Sequence, residues 1–182
     1  MGRSRDEIKK IRNSRKAREA ADRWFPDEKW IQYEDGIYLS QNRPIGYKSN
    51  FIDELRDAQI LRNHGSIVYL VQEKRNASSK KYDAIVNGLQ FEFKNVSGNS
   101  NTLETQFLRS RSQAPNVFIN LENSNLSKKQ VISALYGARN KPDTSNNYGY
   151  TQYNKFNSGT IILKIKGHEK LICFKIDDLL SN

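Results

Sequence analysis

The sequence has very little cysteine and histidine and no long apolar run. Of its 182 residues, one is cysteine and two are histidine, which excludes an internal disulfide framework and a cysteine-based zinc site. No apolar run approaches the roughly 20 residues that a transmembrane helix needs, and residues 1–24 lack the apolar segment of a secretory signal. We therefore expect a soluble protein without a classical signal peptide and without a membrane partner, located in the cytoplasm of the producing cell or of a target cell.

The single cysteine, Cys173, lies in the apolar segment KLICFKI, residues 170–176. Such a segment is typical of a strand, and an isolated thiol within it is more often structural than nucleophilic. We predict that Cys173 is buried.

Positive charge is the strongest feature that the composition does contain. Lys and Arg number 30 against 20 Asp and Glu, which gives a formal net charge of +10. This balance favours a polyanionic partner, and nucleic acid fits it better than an anionic membrane surface. A hydrophobic content of 36% predicts a folded domain rather than a disordered chain.

The basic character is most concentrated near the N-terminus. Residues 3–23 hold nine Lys or Arg and four Asp or Glu around a thin apolar stripe at helical spacing, which predicts a surface helix. Two interpretations stay open, an arm that grips phosphates and a solvated extension. We therefore divide the chain into a basic N-terminal extension, 1–49, and a main domain, 50–182.

Periodicity and capping residues predict an α/β order for the main domain. Helix starts are signalled at Asn50, Asn101 and Ser127, the last two with capping boxes completed by Glu104 and Gln130. The predicted elements are a helix at 50–65, a strand at 66–73, a hairpin at 82–95, a helix at 101–114, a strand at 116–122, a helix at 127–139, a tyrosine-rich loop at 140–158 and a hairpin at 159–176. One or two further strands are expected between 24 and 50. This order predicts a mixed sheet flanked by helices on both sides.

The segment YDAIVNGLQFEFKN, residues 82–95, has the pattern of a tight β-hairpin. Asn87-Gly88 is a preferred pair for a two-residue type I′ turn, because both central positions need positive φ. That turn fixes the register of the strands and sets Asp83 directly opposite Glu92. Two acids thereby become cross-strand neighbours.

Two acids opposite each other need a counter-charge. Directly opposed like charges cost roughly 0.2–1 kcal/mol in an exposed sheet, and more if helices bury them. A divalent cation between Asp83 and Glu92 would remove the repulsion, and Mg²⁺ takes one or two carboxylates while keeping several waters. Lys94 lies one pleat beyond Glu92 on the same face, where it could hold a water or neutralise charge on a phosphate. The alternative is an exposed hairpin whose acids and lysines serve only solubility.

A further acid, Glu54, falls within the apolar arc of the predicted helix at 50–65. At 100° per residue it lies between Ala58 and Leu61. The alternative is a first-turn acid that the helix dipole favours and whose carboxylate reaches solvent.

The residues Glu54, Asp83 and the EFK sequence from Glu92 to Lys94 resemble the active-site set of the PD-(D/E)xK nuclease superfamily. Tyr82 stands where the superfamily name places a proline. The resemblance implies a restriction-endonuclease-like αβββαβ core in an α/β fold, and metal-dependent hydrolysis of phosphodiester bonds. It also implies Asp83 and Glu92 as ligands of Mg²⁺, Mn²⁺ or Zn²⁺, Glu54 as a further ligand or as the base that orients water, and Lys94 as the transition-state cation.

More narrowly, residues 81–98 and 112–135 are similar to the C-terminal toxin domains of bacterial contact-dependent growth inhibition proteins, many of which resemble tRNA nucleases. They are also similar to nuclease tails of phage head-morphogenesis proteins. The resemblance covers about 50–140 and makes 50–182 a nuclease domain. It implies a toxin or defence effector that cuts tRNA and has a cognate immunity or inhibitor protein. The residues that would then contact the substrate backbone are Arg109, Arg111, Lys80 and Lys81.

Other functions stay open. The same metal site would serve a restriction-type DNA endonuclease, and the scaffold could also be a non-catalytic nucleic-acid-binding module. The tyrosines Tyr148, Tyr150 and Tyr153 favour unpaired bases and hence RNA. A metal-independent ribonuclease that relies on histidine is disfavoured, because His64 is predicted at a helix end and His168 in a hairpin turn.

Overall fold

The computed structural model describes residues 5–41, 49–71, 82–110, 113–140 and 159–180. Within these ranges the chain forms four α-helices, eight strands and a short 3₁₀ helix. The elements are α1 (Arg5–Trp24), β1 (Trp30–Glu34), β2 (Ile37–Ser40), α2 (Ser49–Asn63), β3 (Val68–Leu70), β4 (Ala84–Val86), β5 (Leu89–Asn95), α3 (Ser100–Ser110), β6 (Asn116–Leu121), α4 (Lys128–Asn140), β7 (Thr160–Ile165), β8 (Ile172–Lys175) and the 3₁₀ helix Ile176–Leu180.

The eight strands form one mixed sheet in the order β1 to β8. β2 and β3 are parallel, as are β6 and β7, whereas the pairs β1–β2, β3–β4, β4–β5 and β7–β8 are antiparallel. The predicted order of helices and strands and the mixed α/β class are thus confirmed. No helix in the described part of the chain combines the length and the apolar character needed to cross a bilayer.

The chain divides into two compact units, Met1–Phe91 and Glu92–Asn182. The division falls within β5, whose first residues belong to the first unit and whose last residues belong to the second. The predicted division into a basic extension, 1–49, and a nuclease domain, 50–182, stays a prediction.

In the first unit, helix α1 packs against one face of the strands. Its buried alanines are Ala17, Ala20 and Ala21, and the strand residues that they meet are Ile67, Tyr69, Val71 and Ile85. Small side chains on the helix permit this close approach. The helix predicted at 3–23 is therefore present, and its alanine face is buried while Arg15, Lys16 and Arg23 are exposed.

Helix α2 contacts β2 and β3 in the same unit. Val68 and Leu70 are buried and alternate with the residues that meet α1, so α2 covers the opposite face of these strands. Its end at Gly65 is as predicted. Gly65 has a φ of +85°, and the N–H groups of Gly65 and Ser66 bond to the carbonyls of Arg62 and Leu61, which is a Schellman cap.

Both histidines occupy the structural positions that were predicted. His64 Nδ1 lies 2.8 Å from the Ile60 carbonyl at the end of α2. In the β7–β8 turn, the backbone N–H of His168 donates to the carbonyl of Ile165 at 3.0 Å, and Gly167 has a φ of +76°.

In the second unit, helices α3 and α4 pack on one face of β6 and β7. The buried residues of this core include Leu103 and Phe107 from α3, Val131, Ala134, Leu135 and Ala138 from α4, Val117, Ile119 and Leu121 from β6, and Ile161, Leu163 and Ile165 from β7. The sequence of α3 predicts Leu103, Phe107 and Leu108 on its inner side, and this is confirmed, with Leu108 partly buried against the same core. The predicted capping box of α4 is also present, since Ser127 N–H donates to Gln130 Oε1 at 2.9 Å.

The predicted capping box of α3 is wrong. Asn99, not Asn101, caps this helix, because Asn99 Oδ1 accepts the N–H of Thr102 at 3.1 Å. Glu104 is instead turned toward α4, where its Oε1 would lie 3.1 Å from a Cβ built on Gly137. Packing between the two helices thus decides which of several adjacent polar residues becomes the cap.

The prediction that Cys173 is buried is also wrong. Its neighbours Ile172 and Phe174 pack against the core of the second unit, and alternation along β8 turns the Cys173 side chain to the opposite, exposed face. β8 is the last strand in the sheet order, and the described residues do not cover that face. Partial burial nevertheless raises the pKa of the Cys173 thiol above its ordinary value, against the opposing effect of Lys175.

Candidate active site

The hairpin of β4 and β5 has the predicted turn. Asn87 and Gly88 have φ values of 50° and 90°, and the ladder runs from Val86 opposite Leu89 to Ala84 opposite Phe91. This is the register that a two-residue turn requires.

The turn is tied down in the first unit. Asn87 exchanges hydrogen bonds with Ile67, through its N–H at 2.9 Å and its Oδ1 at 2.8 Å. On the other side, a Cβ at Gly88 would lie 3.4 Å from the carbonyl oxygen of Lys16 in α1. The start of β5 is therefore fixed by both β3 and α1.

Asp83 lies one residue before β4, at a bend, and is half-buried. Its carbonyl accepts the N–H of Val71 at 2.9 Å, and its own N–H donates to Phe91 at 3.1 Å. Ala84 is paired with Phe91 at the end of the ladder, and the Asp83 N–H reaches the same residue. The predicted pairing of Asp83 with Glu92 lies beyond the ladder and stays a prediction.

Tyr82, which replaces the proline of the superfamily name, is a packing residue. Its ring lies 5.8 Å from that of Phe25, in an edge-to-face arrangement. Burial raises the pKa of Tyr82 to about 12, although a hydrogen bond with Gln90 opposes the shift. The neutral phenol therefore packs with Phe25 against the core that α1 covers, and this holds the segment next to Asp83.

Helix α2 brings two acids to its inner side. Glu54 is half-buried as predicted from its place in the apolar arc. Asp57, one turn later, is 0% exposed and was missed by the sequence reasoning. A helical wheel sets Asp57 only 60° from Glu54 at 100° per residue, and this was the signal that could have found it.

In the second unit, β5 presents a buried acid beside a lysine. Glu92 is 2% exposed, and the Lys94 side chain, at 16%, is largely buried as well. The Lys94 ammonium contacts Glu92 Oε1 directly and lies 3.1 Å from Gln113 Oε1. The prediction that Glu92 and Lys94 share one face of the strand is therefore confirmed. The side-chain amide of Gln113 also belongs to this cluster, and no sequence motif predicted it.

Of the predicted substrate-binding residues, the described part of the chain includes Arg109 alone. Arg109 is exposed on α3. Lys80, Lys81 and Arg111 lie outside the described residues, as do the tyrosines Tyr148, Tyr150 and Tyr153.

The acids fit the ligand chemistry of Mg²⁺, which prefers carboxylate oxygens. Among the described residues, no three His, Cys, Asp or Glu side chains form a group that could hold a metal ion. Mg²⁺ usually needs only one or two carboxylates and completes its shell with water and phosphate oxygens.

Comparison with known proteins finds similarity to bacterial growth-inhibition toxins. Residues 80–149 match the family of the contact-dependent growth inhibition CdiA C-terminal domain. Among solved structures, a chain of the CdiA-CT/CdiI toxin and immunity complex from Burkholderia pseudomallei is 23% identical, with 75% of this chain and 98% of that chain covered and a TM-score of 0.46. The search of curated proteins finds no match. The segment matched by the family contains Asp83, Glu92, Lys94 and Gln113, whereas Glu54 lies before it.

Proposed function

We propose that this protein is a metal-dependent endonuclease that hydrolyses phosphodiester bonds in nucleic acid and acts as a toxin, with tRNA as its preferred substrate. The observation that carries the proposal is the arrangement on β5, where the buried carboxylate of Glu92 contacts the ammonium of Lys94. Removing a carboxylate and an ammonium from water costs free energy even when they pair. A largely buried acid and lysine two residues apart are therefore more typical of an active site than of a surface pair that serves solubility.

The acids have the role of cation ligands in this proposal. Asp83 and Glu92, with Glu54, would hold Mg²⁺ or a similar ion. A bound ion of this kind supplies positive charge next to the scissile phosphate and lowers the pKa of a water. Lys94 would donate to a phosphate oxygen as negative charge develops on it.

The superfamily fold belongs to the proposal as well. The succession α2, β3, β4, β5, α3, β6 matches the αβββαβ order of a restriction-endonuclease-like core. The bend at Asp83 and the two-residue turn support this proposal, in which Asp83 and Glu92 have the roles of the acids of that core.

The toxin role is supported by the match to the growth-inhibition family. A cell that makes an active nuclease must protect its own nucleic acid, so we also propose a cognate inhibitor protein. The net charge of +10 supports a polyanionic substrate and would equally suit an acidic inhibitor.

The test is cleavage of total tRNA and of plasmid DNA by purified protein, with Mg²⁺ or with EDTA. We expect cleavage of tRNA that EDTA abolishes and that D83A or K94A lowers by at least about 100-fold. Matched controls are the exposed residues Asp27 and Lys170, whose alanine variants should cut like the wild type. Equal activity in EDTA would overturn the metal mechanism, and intact tRNA with cut plasmid would identify a DNA endonuclease. If neither substrate is cut, the protein is a binding module.

A further inference from the structure

We propose that Gln113 is a positioning residue that holds the Lys94 ammonium for the reaction, a role that rests on the proposed nuclease function. Lys94 Nζ lies 3.1 Å from Gln113 Oε1 and also contacts Glu92 Oε1. An ammonium has three N–H donors and no acceptor. The two oxygens take two donors and leave a third for an oxygen of the substrate.

The backbone that carries Gln113 is firmly held. The N–H groups of Gln113 and Ala114 both donate to the carbonyl of Ser110, at 3.0 Å and 3.1 Å. Ser110 is 0% exposed, and its Oγ donates to the Phe107 carbonyl at 2.7 Å. Gln113 therefore extends the end of α3, whose Phe107 is part of the core, and its amide can set the position of a flexible lysine.

A neutral acceptor suits this position. In the proposed site, Glu92 must serve both the ammonium and a divalent cation, and the two positive charges repel each other. An acceptor on the other side of Lys94 keeps the ammonium in the site when Glu92 is engaged elsewhere. An amide oxygen does so without adding a negative charge that would itself attract the cation.

The first test is kinetic and uses two variants of the full chain. Q113M keeps the length of the side chain without a strong acceptor, and Q113N keeps the amide one methylene short. For the nucleic acid that the wild type cuts, both should lower kcat roughly 10- to 100-fold and leave KM within about threefold. The matched control is Q106M, a half-buried glutamine of α3, which should cut like the wild type.

Two further readouts separate positioning from a structural role. In a K94A background, Q113M should cause no additional loss, because its effect passes through Lys94. By calorimetric titration of Mn²⁺, Q113M should bind the ion roughly tenfold more weakly than the wild type, since its ammonium has only Glu92 as acceptor. In the K94A background the same substitution should not change Mn²⁺ affinity.

The outcomes are distinguishable from failure of the proposed function. A wild type that neither cuts nucleic acid nor binds Mn²⁺ would refute the nuclease proposal itself. An active wild type with a folded Gln113 variant of unchanged kcat would overturn only the role of Gln113. A loss that adds fully to that of K94A, or unfolding of both variants by circular dichroism, would make Gln113 structural and overturn that role too.

Discussion

Asp83 and Glu92 belong to the same hairpin, yet the chain holds them in different ways. Glu92 lies within a regular strand, is 2% exposed, and has its charge matched by Lys94. Asp83 lies before its strand, is half-buried, and is fixed through its backbone by Val71 and Phe91. The structure shows a side-chain partner for Glu92 and backbone hydrogen bonds that fix the position of Asp83.

Because of this difference, the catalytic role of each acid can be measured separately from its contribution to the stability of the folded protein. A carboxylate that matches a buried charge cannot be removed without leaving that charge unmatched. A half-buried carboxylate on a residue whose backbone position other hydrogen bonds fix should cost less to remove. The two acids should therefore be equal in catalysis and unequal in their contribution to the folded state.

The largest expected effect is the shared one. D83A and E92A should each lower kcat/KM on tRNA in Mg²⁺ by at least about 100-fold, because both would hold the ion. The exposed acids Asp27 and Glu169 provide matched controls, and their alanine variants should stay near the wild-type rate. If D83A kept more than a tenth of the wild-type activity, Glu92 would be the functional acid of the pair, and the prediction that the two acids are equal in catalysis would be wrong.

Stability should distinguish the two acids. E92A leaves the largely buried ammonium of Lys94 without its anionic partner and should lower the free energy of unfolding by about 2–4 kcal/mol. D83A should lower it by less than about 1 kcal/mol. Urea unfolding of each variant measures both values. Equal losses would show that Asp83 also has a structural role.

A third test uses the turn that joins the strands of the two acids. G88A and G65A both place a Cβ on a residue with positive φ, at +90° and +85°, and each should lose about 1–2 kcal/mol of stability. Only G88A disturbs the hairpin, so it alone should also lower kcat, by about tenfold. G65A, whose added Cβ meets nothing within 4 Å, is the matched control. Equal activity of the two variants would show that the site tolerates movement of the turn.

The smallest expected effect is on substrate binding. R109Q should weaken binding of tRNA by roughly threefold without changing kcat, and should reduce the slope of log affinity against log salt by about 1. A filter-binding titration at several salt concentrations measures this slope. An unchanged slope would remove Arg109 from the substrate surface.

The same titration decides between the two interpretations of α1. A triple variant at the exposed residues Arg15, Lys16 and Arg23 should reduce the salt slope by about 2–3 if the helix grips phosphates. A wild-type slope would identify α1 as a solvated helix that serves packing alone.

Local chemistry made parts of the fold predictable. The Asn87-Gly88 turn, the Gly65 helix end and the Ser127 capping box each depend on residues within about four positions of one another, so the sequence contains all the information. The face shared by Glu92 and Lys94 follows in the same way from strand alternation.

Features set by packing were not predictable in this way. The cap of α3 is Asn99 and not the predicted Asn101, because Asn99, Ser100 and Asn101 are competing cap candidates and Glu104 packs against α4. The apolar run around Cys173 does not reveal that its side chain is on the exposed face of β8. Gln113 lies 19 positions from Lys94, and no local pattern links an amide after a helix to a lysine on a strand.

The exposed position of Cys173 on β8 makes the protein convenient to label. Its thiol is the sole one in the chain and is exposed, so a maleimide dye or spin label would attach at one defined place without prior mutagenesis. Because the pKa of Cys173 is raised, labelling should be slow at neutral pH and faster as the pH increases. Association with an inhibitor or a nucleic acid could then be followed on the natural sequence.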